Sequence, residues 1–366
     1  MEIHSLEGVR TVRTWHQKVG NQRDWVWRGW QTRYTYQRGQ DGSDNAPVLL
    51  LHGFGASIGH WQHNLEFLAA GRTVYGVDLV GWGGSRKPNV SYDINLWVDQ
   101  VYDFWQTFIG RPMILIGNSI GSLVALVAAA RYPQMAQSLV MVSLPDLSAE
   151  QELIPRPLQP LVNGIKRVIL NKPLLHGLFR VVSRPKVAKK WAKIAYANPD
   201  RVTDELIEIF LTPAREAEAA AAFVKIMQGM TSSNFSPNIR KLLPQMNMPM
   251  LLLWGREDRM IPPGTAGVLL KLNPLLELVN LDAAGHCAHD EVPDVVNQEI
   301  RSWLDSLASK SSASWLNFCR LVLDRRNSKA RHSLCRALLL PGDWKERRQV
   351  RISQCNIFSR SSLGRC

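Results

Sequence analysis

The sequence predicts an α/β fold, a mostly parallel central sheet covered by helices, with a helical cap inserted into it. Three observations carry this. Short strand-like apolar runs at 48–51, 73–79, 113–116, 138–144, 249–254 and 276–281 alternate with helix-forming segments, the rhythm of parallel strands joined by helical crossovers. The stretch from Ile120 to Arg131 is apolar nearly all round, as a helix buried against a sheet must be. Between residues 145 and 244 the strand rhythm stops and helical periods take over, as at 204–210 and 215–228. An insertion there lies over the sheet's C-terminal edge, where open α/β sheets bind ligands.

In chain order, the aromatic-rich segments 25–27 and 30–36, separated by Arg28-Gly29, predict an antiparallel hairpin. The run 48–51 then enters His52-Gly53-Phe54-Gly55. The run 73–79 leads into Gly81-Trp82-Gly83, and Asp78 reads as a carboxylate bracing that loop. The run 113–116 enters Gly117-Asn118-Ser119-Ile120-Gly121, and the apolar helix leaves it. Strand, tight turn and helix form the context in which a serine becomes an exposed nucleophile. Gly117 and Gly121 allow the chain to pack closely around a strained Ser119. The bare Gly-x-Ser-x-Gly pattern describes many ordinary loop serines, so its weight comes from this context and from its partners.

Those partners follow in order. After 249–254 comes Gly255-Arg256-Glu257-Asp258, and after 276–281 comes Gly285-His286-Cys287. A serine hydroxyl needs an imidazole to take its proton, and the imidazole needs a carboxylate to fix its tautomer. Ser119 is therefore the candidate nucleophile, His286 the base and later acid, and Asp258 the orienting carboxylate. The predicted donors to the oxyanion are the backbone N–H groups of Phe54 and Ile120. Asp146, after 138–144, is the alternative acid; Glu257 is expected to point elsewhere, and His289 reads as a surface histidine. No metal-ligand cluster or cofactor fingerprint is visible, and this chemistry needs neither.

The chain has 366 residues and a net charge of +13. Residues 310–366 hold 13 Lys and Arg against 3 Asp and Glu, so residues 1–309 are only at +3. The basicity thus belongs mainly to the tail, which is either an arm for anionic lipid or nucleic acid or an extension without a role, and the hydrolase region itself calls for no nucleic-acid partner. Four of the five cysteines (Cys319, Cys335, Cys355, Cys366) also lie there, without the paired spacing of a zinc site. No secretory pattern opens the chain, which predicts a reducing, cytoplasmic setting with free thiols. No apolar run is long enough to span a membrane. The organisation read from these patterns is core at 1–144, cap at 145–244, core at 245–307 and a basic, disordered tail at 308–366. Residues 151–200 carry 10 Lys and Arg but only Glu152 and Asp200 as acids, interleaved with apolar residues. Such a segment is either a solvated helix face or a basic amphipathic surface for an anionic membrane.

From about residue 46 to 307 the chain resembles the α/β-hydrolase superfamily, and within it the chlorophyll dephytylase and pheophytinase-like branch of plants and cyanobacteria. The resemblance rests on Leu51 to Trp61, Thr73 to Gly83, Leu115 to Leu123, the cap stretches Ala197 to Glu205 and Pro213 to Gly229, and Gly285-His286-Cys287 with Asp290 and Pro293. It implies cleavage of the phytyl ester of chlorophyll, with pheophytin as a second substrate; the expected location is the cytoplasm, at the periphery of the thylakoid membrane. Asn118 is shared with hydrolases that cleave carbon–carbon bonds of ring-fission products. The runner-up is accordingly an esterase or carbon–carbon hydrolase for another lipophilic molecule, and a non-catalytic ligand receptor stands behind it. Dehalogenase-like and epoxide-hydrolase-like chemistry is set aside, because it needs a carboxylate where Ser119 stands.

Overall fold

A computed structural model describes residues 13–39, 45–147 and 171–323, with side chains up to residue 310. Eight strands build one sheet: β1 Gln22–Trp27, β2 Trp30–Gln37, β3 Val48–Leu51, β4 Val74–Val77, β5 Met113–Asn118, β6 Ala136–Val142, β7 Met250–Gly255 and β8 Leu276–Leu281. Their spatial order is β1-β2-β4-β3-β5-β6-β7-β8. The hairpin β1–β2 is antiparallel and joins β4 antiparallel, and every pairing from β4 to β8 is parallel. Arg28 and Gly29 both take positive φ, 51° and 81°, the conformation a two-residue hairpin turn requires. Strands β3, β5 and β7 are buried along their whole length, which is why they read as unbroken apolar runs rather than alternating ones.

Among the described residues the helices are α1 Trp15–Lys18, α2 Leu65–Ala69, α3 Ile94–Phe108, α4 Ile120–Arg131, α5 Lys172–Val182, α6 Pro185–Ala195, α7 Asp204–Ala214, α8 Ala219–Met230, α9 Ile239–Leu242, α10 Gly264–Leu270, α11 Ala288–Glu291 and α12 Pro293–Leu323. Helix α4 is buried from Ile120 to Ala129, as its unbroken apolar sequence requires. It packs with α3 into a core that includes Trp97, Phe104, Leu123 and Leu126. Asp93 caps α3, accepting from the Leu96 N–H at 2.9 Å.

Helices α5 to α8 fall between β6 and β7, where the sequence shows its helical periods; residues 148–170 of that stretch lie outside the described ones. At the other end, α12 continues to Leu323, so residues 308–323 are helical where the reading above places the start of a disordered tail. The sequence from Ala308 to Leu323 contains neither Gly nor Pro, so nothing in it breaks the helix that begins at Pro293. The rest of the tail, from residue 324, lies outside the described residues. Two compact units divide the chain at Trp303/Leu304. In the second, the Ser309 hydroxyl donates to the Asp305 carbonyl one turn back at 2.9 Å.

The strand order places the site. From β3 the chain moves outward to β4, whereas from β5 it moves the other way to β6, so the neighbours β3 and β5 flank a topological switch point. Their register pairs Leu51 with Gly117. The loop beginning at His52 therefore emerges beside the one carrying Ser119. Further along the same edge, β7 and β8 pair Gly255 with Leu281 and send out the loops of Asp258 and His286.

Candidate active site

Ser119 sits between β5 and α4 at φ 54°, ψ −119°, a region that non-glycine residues rarely enter. The fold holds it there from several sides. Its N–H donates to the Val142 carbonyl at 2.9 Å, and its carbonyl accepts from Leu123 at 3.1 Å. The Ser122 hydroxyl ties the turn to the Gly117 carbonyl at 2.7 Å. A Cβ on Gly117 would lie 2.3 Å from the carbonyl carbon of Gly121, and one on Gly121 would lie 2.2 Å from the Leu51 carbonyl oxygen. Both positions exclude any side chain, as their place in the sequence motif predicts.

The His52–Gly55 loop lies against this turn. A Cβ on Gly53 would stand 3.3 Å from the Ser119 Cβ and 2.8 Å from Asn118 Oδ1. His52 braces the loop: Leu79 N–H donates to its Nε2 at 3.0 Å, leaving Nδ1–H to donate to the Gly53 carbonyl at 2.8 Å. Burial pushes the His52 pKa down to about 4, which keeps that neutral tautomer at ordinary pH. Ile120 opens α4, and N–H groups in a helix's first turn have no acceptor within the helix. Phe54 is 39 % exposed. Its ring meets Trp82 edge-on at 4.7 Å and Phe223 of α8 at 6.3 Å.

Asp258 and His286 come together directly, with Nδ1 of the imidazole 2.9 Å from Oδ2 of the buried carboxylate. The other oxygen, Oδ1, accepts from the N–H groups of Met260 and Ile261 at 2.8 Å each. Burial alone would raise the Asp258 pKa, but the His286 contact and the Ile261 N–H outweigh it and hold the group below its ordinary value. An ionised carboxylate accepts Nδ1–H and leaves Nε2 as the basic nitrogen. Asn118, directly before Ser119, donates from its amide to the His286 carbonyl at 3.1 Å, anchoring the histidine's loop to the serine's turn. Asp146 is instead paired with Arg240 at 2.6 Å, and Glu257 is exposed. Asp78 braces its loop as expected, accepting from Ile58 and Gly84 at 2.6 and 2.7 Å.

Beside the histidine loop is a buried polar latch. His286 N–H donates to the Ala195 carbonyl at the end of α6, at 2.7 Å. The Tyr196 hydroxyl donates to Asp290 Oδ2 at 2.8 Å and stands 3.1 Å from His60 Nε2. The two Glu291 oxygens accept from Asn198 and Gly285 at 2.5 and 2.7 Å. His289, read above as a surface residue, is fully buried, with its ring 4.2 Å from Trp61 and 4.5 Å from His60. The whole turn Ala288–Glu291 faces inward, so the polar run His289-Asp290-Glu291 that suggests exposure is the buried side of a latch. Asp290 enters the sequence reading only through resemblance, and Tyr196 and His60 carry no catalytic motif at all. A separate cavity of about 790 Å³ is lined by Trp15, Arg33, Asp78 and Glu216 among others, and by none of Ser119, Asp258 or His286.

The latch has a testable electrostatic consequence. Burial raises Asp290 to about 7 from an ordinary 3.8. Between those values the folded chain keeps a proton that the unfolded chain has lost, so stability falls as pH rises through this window. Asp290→Asn keeps an oxygen for Tyr196 and removes the charge. Its thermal stability relative to the wild type should climb from pH 5 to pH 8.5 by roughly 3 kcal/mol. A difference that stays flat with pH would mean that no buried proton is held there.

A model of the alpha/beta hydrolase fold family matches residues 46–293. Among curated relatives, the chloroplastic pheophytinase of Arabidopsis thaliana is 26% identical over 322 residues, covering 76% of this chain and 65% of its own length. The 2-hydroxy-6-oxononadienedioate/2-hydroxy-6-oxononatrienedioate hydrolase of a Pseudomonas species is 28% identical over 268 residues, covering 72% of this chain and 89% of that one. Among solved structures, a membrane phospholipase A described as a bacterial virulence factor superposes with a TM-score of 0.64 at 25% identity, covering 80% and 89% of the two chains.

Proposed function

Because the chain belongs to the alpha/beta hydrolase fold family, we propose that it is a serine hydrolase cleaving a carboxylic ester of a lipophilic substrate, the phytyl ester of chlorophyll. The observation that carries the serine mechanism is the buried Asp258–His286 pair on the loop that Asn118 ties to the strained Ser119 turn. Ser119 Oγ attacks the ester carbonyl while His286 Nε2 takes its proton. The negative oxygen of the tetrahedral intermediate accepts from the N–H groups of Phe54 and Ile120. Collapse breaks the ester C–O bond, and His286 returns the proton to the departing alcohol. Water, deprotonated by the same imidazole, then releases the acid from Ser119.

The substrate class is supported by the likeness to pheophytinase and by the apolar flank of the site. Phe54 touches Trp82 and Phe223, and Phe223 touches Phe179 of α5 at 5.2 Å. Phytyl esters carry a long branched alcohol and a porphyrin-type acid, both greasy enough to prefer such surroundings. Purified protein incubated with detergent-dispersed chlorophyll a should yield chlorophyllide, detected by chromatography. Ser119 reacting with a fluorophosphonate while no chlorophyllide forms would keep the serine hydrolase and remove this substrate. The likeness to the Pseudomonas hydrolase favours carbon–carbon cleavage as the second reading. Turnover of a ring-fission product with no activity on p-nitrophenyl esters of any chain length would establish it.

A further inference from the structure

We infer that helices α5 and α6 form a docking face for an anionic lipid bilayer. Each helix has an inward face and a separate exposed apolar stripe. In α6, Ala188, Ala192 and Ala195 are partly buried against a cluster containing Val202, Leu206 and Leu211. Val187, Trp191 and Ile194, spaced by four and three residues, form a second stripe turned away from it. Trp191 is 59% exposed and Ile194 41%. Lys190, Lys186 and Lys193 follow round the helix, and all three are exposed. In α5, Leu175 is buried and Phe179 packs on Phe223 of α8. Leu174, Leu178 and Val181, again at i, i+4 and i+7, are exposed. Arg180 and Lys172 lie outside that stripe and are exposed as well.

Scattered apolar side chains on a surface need no explanation, but two stripes on successive helices, the second with Lys190 beside it and Lys186 and Lys193 further round, do. The charge is one-sided: residues 171–199 hold seven Lys and Arg and no acid. Within the segment, Lys189 is neutralised by Asp204 of α7 at 2.6 Å; Lys190 borders the apolar stripe instead, with Lys186 and Lys193 further round. Cations beside aliphatic and indole side chains suit the headgroup–acyl boundary of an anionic leaflet, where apolar groups enter and ammonium groups stay at the phosphates. A nucleic acid would use the cations and leave Leu174, Leu178, Val181 and Ile194 in water. The face also reaches the site: Phe179 on the buried side of α5 continues through Phe223 to Phe54 beside Ser119.

The docking face is independent of ester specificity, so its test uses no substrate. Full-length protein is sedimented with phosphatidylcholine vesicles containing 30% phosphatidylglycerol, and with phosphatidylcholine alone, at low and high salt. Two variants follow, Trp191→Ala/Ile194→Ala and Lys186→Glu/Lys190→Glu/Lys193→Glu, each checked for an unchanged thermal unfolding transition. The wild type should bind the anionic vesicles only, less at high salt, and each variant should lower partitioning at least tenfold. Wild-type levels of binding in both folded variants would place lipid binding elsewhere in the chain and overturn the inference. Absence of wild-type binding to the anionic vesicles would overturn it too. A variant that loses its unfolding transition is replaced by Trp191→Gln or by Lys190→Gln/Lys193→Gln, read the same way.

Discussion

Ser119→Ala should lower kcat for ester hydrolysis by roughly 10⁴-fold or more while leaving the fold intact, because residual rate then comes only from binding and oxyanion stabilisation. A companion variant separates chemistry from structure. Ser119 is held at φ 54° by its turn, and a non-glycine residue in such a region stores on the order of 1–3 kcal/mol. Ser119→Gly removes that strain at the cost of about 0.5–1 kcal/mol of backbone entropy. It should therefore be as inactive as the alanine variant and no less stable than the wild type. Thermal unfolding and turnover of a p-nitrophenyl ester read both quantities. An active glycine variant would displace Ser119 as nucleophile; an inactive one that melts well below the wild type would mean that the hydroxyl is structural.

How much of this could be read beforehand differs by the kind of interaction. Period and order were legible: the six runs of the sheet, the hairpin turn at Arg28-Gly29 and the buried helix after Ser119 are all local patterns, and the strands deviate from them by only a few terminal residues. The close approach at Gly117 and Gly121 was legible because only glycine leaves room for it. The contact of Asp258 with His286 followed from loop order after successive strands. What was hidden depends on residues far apart in sequence. Nothing local says that the Asn118 amide reaches the carbonyl of His286, or that Tyr196 at the end of α6 meets Asp290. His289 shows the error in its sharpest form. Three polar residues in a row normally signal water, but here Trp61, His60, Tyr196 and Asn198 have built a polar interior to receive them. Burial of polar groups is decided by partners, and partners are a property of the tertiary fold.

Asp258→Asn should cost about 10⁴-fold in kcat, and the geometry says why so small a change weighs so much. Oδ1 of Asp258 is fixed by two backbone donors, Met260 and Ile261, at 2.8 Å each. An asparagine must leave its carbonyl oxygen there, since an NH₂ group facing two N–H donors would lose both bonds. Its amide nitrogen then faces His286 Nδ1, where Oδ2 stood at 2.9 Å. That nitrogen donates, so Nδ1 must accept, and the ring proton moves to Nε2. The imidazole keeps its place but can no longer take a proton from Ser119 at the start of the reaction. Labelling by a fluorophosphonate, which needs the same deprotonation, should slow along with ester turnover, and thermal stability should change little. Asp258→Ala lacks the misplaced donor, so it should retain more activity than Asp258→Asn if the tautomer is the cause. A variant Asp258→Asn with more than a tenth of wild-type kcat would return the acid's role to Asp146, whose carboxylate is now paired with Arg240.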